Sequence, residues 1–265
     1  MDNLKSLNSQ LSQNELCKIG ISFKTDKPQH GYTKVYYEIM KNIKEDSINF
    51  FEIGVYLGSS LKMWEAFFPS GKIFGIDNGR ILQNSNITTG RSNEIPSTDD
   101  IKLLQPGKID ELNDFRWIET DRIKCYMADQ RNEQQLKKAF DYFHCHEFDF
   151  ILDDGQHYQE HQQKSLGILF KNVKPGGYYI IEDIADHRNL LSGSYWGQRK
   201  KDASDSTDLV FESYIKTGKL DSIYLSKEEC KYIEDNVDDI FMYDSISRNN
   251  SPVNGSSKLL IIKKK

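Results

Sequence analysis

The sequence predicts a doubly wound α/β fold around a mostly parallel, seven-stranded sheet, and two patterns carry that prediction. Short apolar runs alternate with segments of helical period, as expected of strands joined by crossover helices. Nearly every run also stops on a glycine or an acid, which should gather polar groups at one rim of the sheet. The run 48–55 ends at Gly54 and is apolar enough for a strand buried on both faces. Residues 60–68 follow with Leu61, Trp64, Phe67 and Phe68 at helical spacing. A second strand, 72–76, ends at Asp77, and a third, 123–127, at Ala128-Asp129. The segment 133–143 is helical, with Leu136, Ala139 and Phe140 on one face. A fourth strand, 148–152, ends at Asp153-Asp154-Gly155 and leads to a helix over 161–170. Lys174-Pro175-Gly176-Gly177 forms a turn before a fifth strand, 178–181, which ends at Glu182-Asp183. Strands at 239–243 and 259–262 complete the seven.

Composition bounds the partners. A net charge of −5 argues against a general nucleic-acid binder, because phosphate contacts need a basic face. No window approaches the roughly 20 apolar residues of a membrane helix, and residues 1–18 lack the apolar core of a signal peptide. Cys17, Cys125, Cys145 and Cys230 are scattered without a CxxC pair, a usage that fits a reducing cytoplasm, with Cys125 expected in the core. Residues 1–47 form an N-terminal extension, helical over 34–44, and 48–265 form the main domain. Two insertions interrupt that domain. Residues 78–121 are rich in Asn, Ser, Thr and Gly, as lids and binding loops often are. Residues 185–257 hold a polar stretch, 192–208, a helix, 208–217, and a hairpin loop, 249–257. Both insertions should shape the pocket of whatever is bound. Arg80, Arg91, Arg188, Arg199 and Lys200 lie in or near them and can hold a diphosphate, although solvated surface charge is their ordinary reading.

The turn after the first strand, Gly54-Val55-Tyr56-Leu57-Gly58, suits a cofactor approached closely by backbone. Tyr56 stands where a pyrophosphate-binding glycine would be, which favours an adenosine cofactor without a pyrophosphate. Asp77 can accept both hydrogen bonds of a ribose diol, and Asp129 can meet an adenine edge. The candidate cofactor-binding residues are Glu52, Gly54, Gly58, Ser59, Asp77, Asp129, Gln130 and Asp153. If strands four and five are neighbours, Asp154, Glu182 and Asp183 can surround one hard cation such as Mg²⁺, which would lower the pKa of a bound hydroxyl. His157 can then take the proton, its ordinary pKa lying near neutrality. Helix capping by Asp153 and Asp154, a solvated turn at Glu182-Asp183 and a structural His157 are the competing readings. His161 reads as a surface or supporting residue.

Glu52-Ile53-Gly54-Val55, Asp153-Asp154-Gly155-Gln156-His157, Lys174-Pro175-Gly176-Gly177 and Glu182-Asp183 together resemble class I methyltransferases of the macrocin and mycinamicin sugar O-methyltransferase type. Thr25-Asp26-Lys27 and His30-Gly31-Tyr32 are similar to the segment before the core in that family. The resemblance covers roughly 20–77 and 123–184, with a weaker echo at Phe241-Met242-Tyr243-Asp244. It implies a Rossmann-like fold and transfer of a methyl group from S-adenosylmethionine to a sugar hydroxyl, with Mg²⁺ or another divalent cation. Asp154, Glu182 and Asp183 become the metal ligands and His157 the general base. Gln156 stands where the family commonly has Ser. A nucleotide-linked sugar for a surface polysaccharide and a glycosylated small molecule are the acceptor classes considered, and a homo-oligomer is compatible with both. Three rivals stand beside this reading. A nucleotide-cofactor oxidoreductase would prefer NAD, and a metal-dependent hydroxylase on the same core would consume oxygen. A non-catalytic binding module would keep the fold without a common cleft for its strand-end acids.

Overall fold

A computed structural model describes residues 14–78, 119–192, 203–245 and 257–265. Most of the 78–121 insertion, part of the 192–208 stretch and most of the 249–257 loop lie outside these residues, as do Arg80, Arg91, Arg199 and Lys200. Seven strands form one sheet: β1 (Asn49–Ile53), β2 (Lys72–Asp77), β3 (Ile123–Met127), β4 (Phe148–Asp153), β5 (Val173–Ala185), β6 (Val237–Asp244) and β7 (Ser257–Lys264). Their order is β3-β2-β1-β4-β5-β7-β6. The first five run parallel, and β7 lies antiparallel between β5 and β6. The chain winds outward from β1 through β2 and β3, then restarts at β4 on the other side. The crevice between the carboxyl ends of β1 and β4 is therefore the switch point, where such sheets bind ligands.

Alternate strand residues feed two cores, one on each face. Phe50, Leu152, Ile180 and Ile261 belong to one, and Phe51, Ile151, Tyr179 and Ile262 to the other. Apolar side chains on both faces are what a parallel interior strand requires. Helices α1 (Glu15–Ser22), α2 (Lys27–His30), α3 (Tyr32–Met40) and α4 (Ser59–Phe67) lie on the chain around β1. Leu16, Tyr32, Val35, Tyr36 and Trp64 share the first core with the sheet, so residues of the N-terminal extension are built into it. Helices α5 (Glu133–Phe143) and α6 (Gln159–Leu169) cover the other face with Leu136, Phe140, Leu166 and Leu169. Beyond β5 come α7 (His187–Ser192), α8 (Thr207–Thr217) and α9 (Lys227–Asn236).

Two differences from the sequence reading matter for the site. Lys174–Gly177 is not a turn before β5 but an irregularity within it. The β4–β5 register shifts between Phe148 and Phe150, where Pro175 and the left-handed Gly176 are accommodated. Strand β5 also does not stop at Glu182-Asp183. It continues to Ala185, and its pairing with β7 shifts between Ile181 and Ile184. Glu182 and Asp183 sit in that second bulge, which re-aims their side chains. Among the described residues no helix is long and apolar enough to cross a membrane. All four cysteines are free, and Cys125 is fully buried as expected.

Candidate active site

The turn that leaves β1 is shaped by three left-handed residues, Gly54 (φ +93°), Tyr56 (φ +48°) and Gly58 (φ +75°). Glycine adopts this conformation at no cost, whereas Tyr56 pays strain to do so. Its N–H donates to Asp77 Oδ2 at 3.0 Å, which ties the turn to the end of β2. The middle position thus keeps the bend of a glycine loop without a glycine. Gly54 is bound by space as well as by φ. A Cβ there would lie 2.1 Å from the carbonyl oxygen of Asp154, so the ends of β1 and β4 touch at the switch point. Gly54→Ala is therefore expected to cost about 2–4 kcal/mol in urea unfolding and to displace the Asp154 loop.

Beyond β4 the chain enters a second strained turn. His157 has φ +56°, and Asp183 in the β5 bulge has φ +50°. Strain of this kind persists where surrounding structure holds it, and it concentrates at functional sites. Of the five non-glycine residues with positive φ among those described, Lys24 and His144 end helices, and Tyr56, His157 and Asp183 all lie at the carboxyl rim. Asp154, His157 and Asp183 each offer one ligand atom, and the three atoms lie within 4.8 Å of one another. Two carboxylates this close at the mouth of the switch point suit a divalent cation that retains water ligands, and the His157 imidazole stands beside them.

Glu182, expected beside them, is not in this group. Its carboxylate points inward, where Oε1 accepts from Lys27 Nζ at 2.8 Å and from Tyr36 Oη at 2.5 Å. Lys27 also donates to Asp154 Oδ2 at 2.7 Å and lies 3.3 Å from Glu52 Oε1. Tyr32 Oη donates to Asp183 Oδ1 at 2.8 Å. The N-terminal helices thus supply a lysine and two tyrosines to the acid cluster. Burial pushes Glu182 well above the ordinary carboxylate range, with the Asp154 charge adding to it and Lys27 opposing. Burial likewise raises Asp154 against the pull of Lys27 and His157. For Asp183 burial is outweighed by the charges of His157 and His30 and by hydrogen bonds from Tyr32 and Ser257, so its pKa falls. Burial alone would lower Lys27, but Asp154, Glu182 and Glu52 more than offset it and hold the ammonium charged.

The other expected cofactor residues divide into two sets. Gly54, Gly58 and Ser59 line the turn at the mouth of the crevice, and Asp77 stands at its side. Glu52, Gln130 and Asp153 are buried. Glu52 is fully buried, accepts from Trp64 Nε1 at 3.0 Å and is pushed up to about 7 by burial. Asp153 is also buried, which raises it to about 6, and it accepts from Gln130 Nε2, Ser165 Oγ and the Gly155 N–H. Gln130 Oε1 in turn accepts from the Gln156 N–H at 3.1 Å, so this pair anchors the Asp154–His157 loop from behind. The acids of these strand ends are interior because desolvation is offset by fixed donors. Asp129 pairs with Arg131 at 2.8 Å at the end of β3. His161 is buried against Tyr158, not at the surface. Arg188 is exposed and pairs with Asp186 at 2.5 Å.

A second acid–imidazole group, Asp186, His187 and Asp208, lies beyond β5. Asp208 already accepts from the His187 N–H and Nδ1 and from Ser206 Oγ, with Lys258 at 3.5 Å. That set is an internal clamp between α7, α8 and β7.

Sequence reasoning passed over Lys27, Tyr32 and Tyr36 as site residues. The Thr25-Asp26-Lys27 and His30-Gly31-Tyr32 segment was the available signal. Local folding accounts for their placement: Pro28 opens α2, and the left-handed Gly31 (φ +78°) ends it and starts α3, which swings Tyr32 and Tyr36 onto the sheet.

No family model matches the sequence. The mycinamicin VI 2''-O-methyltransferase of Micromonospora griseorubida is 28% identical over 162 residues, covering 58% of this chain and 32% of that protein. The demethylmacrocin O-methyltransferase of Streptomyces fradiae is 27% identical over 162 residues, with the same shares of 58% and 32%. The chain therefore spans about a third of the length of the curated relatives it matches. Among solved structures, the MycE methyltransferase of the mycinamycin biosynthetic pathway, in complex with Mg and SAH, superposes with a TM-score of 0.60 at 22% identity. That match covers 95% of this chain and 55% of the other. The sheet, parallel from β3 through β5 with β7 running antiparallel between β5 and β6 toward one edge, has the class I methyltransferase fold, and the homologues of this chain are O-methyltransferases of the macrocin and mycinamicin type.

Proposed function

We propose that this chain transfers a methyl group from S-adenosylmethionine to a hydroxyl of a sugar on a glycosylated small molecule, with a divalent cation, Mg²⁺ foremost. The observation that carries the reading is the convergence of Asp154, His157 and Asp183 within 4.8 Å beside the Gly54 turn. Gly54, Gly58 and Ser59 let the cofactor approach the backbone closely, and Asp77 receives its ribose diol. Asp154 and Asp183 hold the cation, and Glu182 completes the acid set, linked to Asp154 through the shared Lys27 ammonium. When bound, the cation lowers the pKa of the sugar hydroxyl and fixes the direction of its oxygen. His157 accepts the hydroxyl proton as the oxygen attacks the methyl carbon in line, and the sulfonium leaves as a neutral thioether. The strained backbone at His157 and the Gln130–Asp153 anchor behind it keep the imidazole at the mouth of the crevice.

The names of the relatives favour a glycosylated natural product over a nucleotide-linked sugar for a polysaccharide. The pairing of Arg188 with Asp186 weakens the diphosphate alternative further. Equilibrium titration with S-adenosylhomocysteine and with NAD tests the cofactor directly. Micromolar binding of the former and no binding of the latter are expected, and a preference for NAD would replace this reading with the oxidoreductase one.

A further inference from the structure

We infer that Lys27 is a positioning residue, a built-in counter-ion that keeps Asp154 and Glu182 in place when no divalent cation is bound. The inference rests on the metal-dependent reading above. Three carboxylates surround one ammonium, Asp154 at 2.7 Å, Glu182 at 2.8 Å and Glu52 at 3.3 Å. The Lys27 side chain is 1% exposed, so water cannot stand in for it. Asp183 lies outside this ring and draws on Tyr32 instead.

Buried carboxylates this close repel one another, and an acid cluster left empty relieves the strain by protonating or by moving apart. A tethered ammonium attracts all three and holds them together. Lys27 reaches the cluster from α2, 127 residues before Asp154 and 155 before Glu182, so the same contact also pins the N-terminal helices to the ends of β4 and β5. The fold is then independent of the metal, and a cation can leave and return without rebuilding its site. A lysine acting only in packing would give a different result. Its loss would weaken the protein equally whether or not the cation is present.

Lys27→Met keeps most of the apolar stem and removes the charge. In chelator its melting temperature is expected to fall by about 10 °C, the scale of an unpaired buried ion in a chain of this size. Saturating Mg²⁺ should recover at least half of that loss, a larger shift than the same addition gives the wild type. If the variant does not fold in chelator, refolding in Mg²⁺ against NaCl of matched ionic strength reads the same dependence, and success in Mg²⁺ alone is expected. Equal Mg²⁺ shifts in both proteins, or refolding in neither solution, would overturn the role of Lys27. Titration calorimetry of Mg²⁺ into the wild type separates the two levels, since a wild type that binds no Mg²⁺ overturns the metal-dependent reading itself.

Discussion

Replacing His157 by alanine is expected to lower turnover by about 10²–10⁴-fold, the range ascribed to a positioned general base. Affinity for S-adenosylhomocysteine should change by less than about threefold, because the cofactor turn at Gly54–Gly58 is held by β1 and β2 rather than by His157. The residual rate should rise with pH, as solvent rather than the imidazole takes the proton. Since His157 has φ +56°, alanine also adds backbone strain there. His157→Asn separates the two effects, because asparagine tolerates the left-handed region while lacking a base. Equal losses in both variants with cofactor affinity retained are the expected pattern. A near-wild-type rate in His157→Asn would remove His157 from the chemistry.

The second large effect is expected at Asp154. Asp154→Asn keeps the volume and the backbone hydrogen bond from the Asp154 N–H to the Ile53 carbonyl at 2.9 Å. It removes a charged ligand atom from the group of three and one of the three acids around Lys27. Mg²⁺ affinity should fall by more than about 100-fold and turnover by about 10³-fold. Lys27 retains Glu182 and Glu52 as partners, so the melting temperature in chelator should stay within a few degrees of the wild type. A variant that kept its Mg²⁺ affinity would show that Asp154 is held only for Lys27.

The strand ends were legible in the sequence because an apolar run that stops on an acid marks both a buried strand and its rim. Asp77 and Asp154 follow from that rule alone, whereas β5 runs on past Asp183 to Ala185. What it could not show is which acids turn inward. Glu52, Asp153 and Glu182 look no different in the sequence from those at the mouth, yet each is buried on donors from Trp64, Gln130 and Lys27. Those partners are set by tertiary packing across long stretches of chain. The bulge after Ile181 was likewise hidden, since a register shift depends on the pairing partner β7 and not on the residues of β5. Helix α9 is a different kind of omission. Ser226 and Glu229 form a reciprocal cap that the spacing of serine and glutamate already announced. For Tyr56, the sequence argument against a glycine loop was incomplete about shape, because the backbone takes the left-handed turn without a glycine.

The central claim is that Asp154 and Asp183 hold one cation at the mouth of the β1–β4 crevice, next to the cofactor and His157. Anomalous diffraction from crystals grown with Mn²⁺ and S-adenosylhomocysteine tests it most directly. The account predicts a single strong peak within coordination distance of the Asp154 and Asp183 carboxylates, facing the cofactor sulfur. A peak only at Asp186 and Asp208, or none at the switch point with the cofactor bound, would contradict it.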